Sequence, residues 1–219
     1  MKRGAVWVGL VVLVTSNLVA QGDPRSRLAG RVPPAVAAAV SLLVDSAQAR
    51  GLPAGPLVDK ALEGVVKGVA PDRIVPAVRG VLQQLDAAAT ALRTAGGPRA
   101  GDDAVEAGAF ALDAGLTAGD VGEIARAADR SYPTAVALQV AGLLAALGVP
   151  RPETVGLVRA TIRSGRPLGD LVNLPSQVQA AMAGGSPPAA AAGLERAAAA
   201  HQAPRPRAQG KGQGNPHKP

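Results

Sequence analysis

The stretch Gly51–Gly68, GLPAGPLVDKALEGVVKG, decides how this chain is read. It opens on a Gly/Pro turn, Gly51 to Pro56, and closes on Gly68. Between the two, Leu57, Val58, Ala61, Leu62, Val65 and Val66 recur at helical spacing, with Asp59, Lys60, Glu63 and Lys67 on the other side. Proline suits a helix start because its missing N–H has no partner there, and glycine suits a stop because it takes a left-handed conformation without a Cβ clash. Glu63 and Lys67 stand at i, i+4 in the favourable order, worth about 0.2–0.5 kcal/mol.

The phrase returns. Aligned on Gly51, Gly115 and Gly148, the chain reads GLPAGPLV, GLTAGDVG and GVPRPETV, and Gly68 and Gly165 follow the first and third by 17 residues. The spacing of 33 between Gly115 and Gly148 suits one helical hairpin per unit, and the 64 between Gly51 and Gly115 is close to two. The expected fold is therefore all-α, a compact array or short solenoid of helical hairpins. A true repeat and a shared way of punctuating helices in an Ala/Gly/Pro-rich chain both remain open. The signatures of the commonest helical repeats are absent.

Composition agrees with this class. Ala, Val and Leu carry the apolar content, and Phe110, Tyr132 and Trp7 are the only aromatics. Ala is the best helix former, and small side chains let helix axes approach at the short end of the ~8–10 Å range.

Met1–Gly22 has basic Lys2 and Arg3, an apolar run from Ala5 to Val14 and small residues at Ala20 and Gly22, the three-part shape of a signal peptide. The apolar run is shorter than the ~20 residues that span a bilayer. Export to the periplasm or medium is expected, with an uncleaved N-terminal anchor as the alternative and as the sole membrane contact. A helical domain is expected over 32–183. Its helices start at Pro34, Pro56, Pro71, Asp102, Thr117, Pro133, Pro152 and Asp170, with a joint at 96–100 and an interruption near Pro175. Residues 184–219 are Ala/Pro/Gly-rich and read as a disordered basic tail.

The formal charge of +7 belongs to the ends. Fourteen basic and fourteen acidic residues cancel between Leu28 and Ala183, whereas Arg205, Arg207, Lys211 and Lys218 stand in the tail without an acidic neighbour. The folded part therefore has no charge reason to seek nucleic acid. There is no cysteine, and both histidines, His201 and His217, fall in the tail, so Cys–His and Ser–His–Asp sites and His-ligated zinc sites are not expected in the fold. Gly210-Lys-Gly-Gln-Gly214 has no strand before it and no helix after it, so it does not read as a phosphate loop. The Asp113–Glu123 segment lacks the alternating oxygen ligands of a calcium loop. Neither cofactor nor metal is expected.

The function expected is an exported, non-enzymatic helical protein that binds another protein or an envelope component through a helical face. Two candidate faces are Lys60, Glu63 and Lys67, and Arg159, Arg163 and Arg166. The alternatives are an envelope hydrolase using a carboxylate pair from Asp102, Asp103 and Glu106 or from Asp113, Asp120 and Glu123, and weak binding of an anionic polymer by the tail.

Overall fold

A computed structural model describes residues 23–96 and 100–201. After a short 3₁₀ turn at Pro24–Arg27 come α1 (Pro34–Ala49), α2 (Gly55–Val66), α3 (Pro71–Thr94), α4 (Asp102–Asp113), α5 (Ala118–Ala127), α6 (Thr134–Ala146), α7 (Arg151–Arg163), α8 (Leu168–Ala183) and α9 (Pro188–His201). Among the described residues there is no strand, and no helix is long and apolar enough to cross a membrane. The expected signal segment 1–22 lies outside the described residues.

The punctuation works as the sequence suggests. Gly51, Gly115 and Gly148 have φ of +66°, +102° and +84°. The residue after each glycine donates its N–H back past the helix end, Leu52 to Ala47, Leu116 to Ala111 and Val149 to Leu144. These are Schellman closures, and the same residues Leu52, Leu116 and Val149 are buried, so each corner is capped and seated at once. Gly68 closes α2 in the same way. Gly64 lets α3 approach, since a Cβ there would lie 3.0 Å from Ile74 Cγ1.

The hairpins stack in two layers. The odd helices contact one another in succession, α1 on α3, α3 on α5, α5 on α7 and α7 on α9. The second layer runs α4, α6, α8, while α2 packs chiefly on α3. Leu57, Val58, Leu85, Ile124, Leu138, Leu144, Leu157 and Leu171 are fully buried between the layers. Helix α6 (TAVALQVAGLLAA) is apolar nearly all round because it touches α4, α5, α7 and α8.

Three expectations need correction. Val66, placed in the α2 stripe, is 87% exposed, because about 2.5 turns on from Leu57 it stands about 180° round the helix from it, off the face that α3 covers; Leu62 and Val65 are half-buried. Helix α8 is not interrupted at Pro175: Leu171, Leu174 and Val178 are buried on either side of it, and their packing outweighs the backbone bond the proline cannot make. On either side of the expected joint at 96–100, α3 and α4 pack directly, with a Cβ at Gly108 only 3.0 Å from that of Ala88; residues 97–99 lie outside the described residues. The fold does not end at 183, because α9 packs on α7 and α8 with Ala191, Ala192 and Ala199 buried. Alanine on α9 buries little area per residue but lets the helix sit close, which composition alone undervalues. The rest of the expected tail, 202–219, lies outside the described residues.

Candidate functional site

Helices α2 and α4 stand on the same side of α3 without packing on each other, and the gap between them is a groove of about 660 Å³. Its floor is the face of α3 carrying Ala77, Gly80 and Val81, where small residues leave room. Asp59, Lys60 and Glu63 of α2 form one wall, and Glu106, Phe110 and Asp113 of α4 the other. A second hollow of about 610 Å³ shares Pro56, Glu106 and Phe110 with the first and continues over α6 to α8. Val136, Val140, Leu143 and Val172 line it, with Asp103 at its edge. Through the shared Pro56, Glu106 and Phe110 the two hollows adjoin as one trough, carboxylate-rich at one end and more apolar at the other, where Leu143 and Val172 are 39% and 50% exposed.

Phe110 sits at the junction. Gly142 of α6 makes this possible: a Cβ there would fall 2.5 Å from two ring carbons of Phe110 and 3.3 Å from Ala111 Cα. The aromatic ring thus occupies the space a side chain would have taken.

The carboxylates differ in state. Lys60 donates to Glu63 at 3.1 Å and Lys67 bonds its other oxygen; the hydrogen bonds from Lys67 and Lys60 hold the Glu63 carboxyl below its ordinary pKa. Asp59 pairs with Arg27, and Asp113 accepts from Gln84 Nε2 at 2.8 Å. Burial pushes the Glu106 carboxyl up, and the neighbouring Asp103, Asp102 and Asp59 push in the same direction. Among the described residues no cation pairs with Asp103 or Glu106.

The sequence-expected residues are divided by the fold. Lys60 and Glu63 line the groove and Lys67 reaches it through Glu63, so this face belongs to the site. Arg159, Arg163 and Arg166 on and after α7 are elsewhere. Arg159 pairs with Glu123 at 2.8 Å, Arg163 Nε donates to the Arg159 carbonyl at 3.2 Å, and Arg166 pairs with Asp170 at 2.7 Å. Arg159 ties α7 to α5, whereas the Arg163 bond lies within α7 and the Arg166 pair is local to the start of α8; none of the three lines the groove.

Of the acidic sets, Asp103, Glu106 and Asp113 come to the trough. Asp120 and Glu123 do not. Burial pushes the Asp120 carboxyl up, but hydrogen bonds from the Thr117 hydroxyl, the Thr117 N–H and Arg151 outweigh it and leave its pKa low. That carboxylate caps α5 and bridges to α7. Phe110, Val136 and Val172 escaped the sequence reading because an apolar residue on a helix face looks the same whether a neighbouring helix covers it or not.

The fold and site together define a two-layered helical array with an open, acid-rimmed trough on its second layer. Scans of protein-family models, curated proteins and solved structures return no significant match to this chain.

Proposed function

We propose that this is an exported, non-enzymatic binding protein, and that the trough over α2, α3, α4 and α6 receives a segment of another protein or envelope component. The observation that carries this reading is the junction at Phe110, where a carboxylate-lined groove passes into an apolar one with Leu143 and Val172 left exposed. An aromatic and aliphatic floor beside a charged rim is the arrangement that excludes water at the centre of a contact and orients a partner at its edge. Basic Lys2 and Arg3, the apolar run Ala5–Val14 and the small residues Ala20 and Gly22 support export.

The test is capture from envelope extracts on immobilised full-length protein, repeated with Val172→Glu and Leu143→Glu, which alter exposed positions. A partner retained by the wild type and lost by both variants is expected. Retention of the same partner by all three, or background alone, overturns the reading.

A second reading has one observation in its favour. Glu106 is a carboxyl held above its ordinary pKa beside Asp103 in a cleft, the pattern of a general acid. If a hydrolytic activity on an envelope polymer is found, Glu106→Gln should abolish it; full activity in that variant removes the hydrolase.

A further inference from the structure

The apolar part of the trough is lined by Val136, Val140 and Leu143 of α6 and by Val172 of α8. The three α6 residues stand at i, i+4 and i+7, so they form one row along that helix. Helix α4 packs beside α6 and turns a second row to the same trough: Asp103, Glu106, Phe110 and Asp113, at i, i+3, i+7 and i+10. The trough is thus bounded by an aliphatic row and by an acidic row with one aromatic ring in it.

The two carboxylate walls differ in what answers them. On α2, Asp59 is paired with Arg27, and Glu63 with Lys60 and Lys67, so that wall is neutralised from within. On α4, Asp113 accepts from the neutral Gln84 amide. Among the described residues no cation pairs with Asp103 or Glu106, and none of the residues lining the second hollow is basic. Negative charge therefore stays uncompensated on α4, beside open aliphatic surface at Leu143 and Val172. The raised Glu106 carboxyl agrees with this, since burial and the like charges of Asp103, Asp102 and Asp59 push it up with no cation to offset them.

These features select the occupant. A neutral or acidic apolar segment would strip water from the α4 carboxylates without pairing them, which costs free energy. A purely polar cation would leave the aliphatic row in water. Both rows repeat every three to four residues, the spacing at which a helix presents its own side chains, and helices seat in such grooves through anchors at i, i+3, i+4 and i+7.

We propose that the occupant of the trough is a cationic amphipathic helix of a partner protein. Its aliphatic stripe lies on Val136, Leu143 and Val172, and lysine or arginine at the stripe's edge meets Asp103 and Glu106. The inference rests on the trough's being the partner site, and it adds the chemistry by which the partner is chosen. The aliphatic contact holds the helix, while the acidic row orients it and rejects acidic competitors.

The test titrates two synthetic peptides of about 18 residues, long enough to hold a helix, into the full-length protein and follows the amide signals of Phe110, Gln139 and Val172. Both peptides carry one leucine stripe; one has lysine along its edges and the other glutamate. The lysine peptide should shift these signals and bind about tenfold more tightly than the glutamate peptide, the weight of two rim ion pairs. The difference should fade near 1 M salt, where the Debye length is about 3 Å. With Asp103→Lys and Glu106→Lys together the order should reverse. With Asp103→Asn and Glu106→Gln together the two peptides should bind alike, in a protein whose circular dichroism shows the fold intact. Signals that the lysine peptide leaves in place overturn the proposal, as do equal affinities in the wild type or a lysine preference that survives both pairs of changes. Shifts of the same signals with protein concentration alone put a second copy in the trough and overturn the partner helix. The capture experiment above is independent of this one: a Val172-sensitive partner with no preference between the peptides removes this inference and leaves the partner reading standing. A lysine preference at these signals with only background in the capture overturns the envelope partner and leaves the chemistry of the trough standing.

Discussion

At the scale of single residues, glycine does two different jobs in this protein, and only one is written in its neighbours. At helix ends the positive φ is foreshadowed by the proline or threonine that starts the next helix, so Gly51, Gly115 and Gly148 are legible from sequence. Gly142 is not, because what it makes room for, Phe110, is thirty-two residues away. Gly142→Ala should therefore lose about 1–3 kcal/mol by overpacking, while Gly80→Ala, with open space around its Cβ, should gain up to about 1 kcal/mol of helix propensity. Urea unfolding of the two variants separates the roles; equal effects would mean the ring simply swings aside.

Glu106 gives a second residue-scale prediction. Its folded pKa is raised, so the folded state holds its proton more tightly than the unfolded chain does. The stability it contributes is present below the ordinary value of 4.5 and is lost as pH rises through the folded pKa. Glu106→Gln should then raise the Tm at pH 7 and leave it unchanged well below 4.5. A variant with no gain at pH 7 would show that the carboxylate is freely solvated.

At the scale of elements, periodicity placed the helices but not their exposed turns. Leu57 and Val66 belong to one apolar stripe in the sequence, yet Leu57 is fully buried and Val66, about half a turn round the helix from it, is exposed. Leu57→Ala should cost about 2–5 kcal/mol and Val66→Ala within about 0.5 kcal/mol either way, read from denaturant midpoints. The start of α5 was fully legible, since Thr117 and Asp120 form the capping box their spacing announces. What the spacing could not show is Arg151 of α7, 2.9 Å from Asp120. Because the Asp120 pKa is lowered on folding, its contribution is present above the ordinary 3.8 and lost as pH falls through the folded value. Asp120→Asn should lower the Tm at pH 7, and the deficit should shrink in acid. A pH-independent deficit would show that the Asp120 charge is not what stabilises this corner.

At the scale of the whole molecule, a stacked array is held together by contacts between neighbours, so its parts can open separately. Helix α9 touches only α7 and α8 and buries chiefly alanine. Ala191→Glu, at a fully buried site, should free α9 and raise amide exchange over 188–201 while α1–α4 keep their protection. Exchange rising everywhere would instead show one cooperative unit.

The amino-acid sequence by itself determined the helical class and the corners, because caps, prolines and left-handed glycines act over four or five residues. His201, expected in the tail, is instead the last residue of the packed helix α9. Only the tertiary structure decided which charged and apolar faces are used. Lys60 and Glu63 line a groove because α2 leaves a gap beside α4, whereas Arg159, Arg163 and Arg166 lie on and after α7, against which α5, α6 and α9 pack. Whether a helix face is covered depends on helices brought beside it from distant parts of the chain, and no local pattern of residues encodes that.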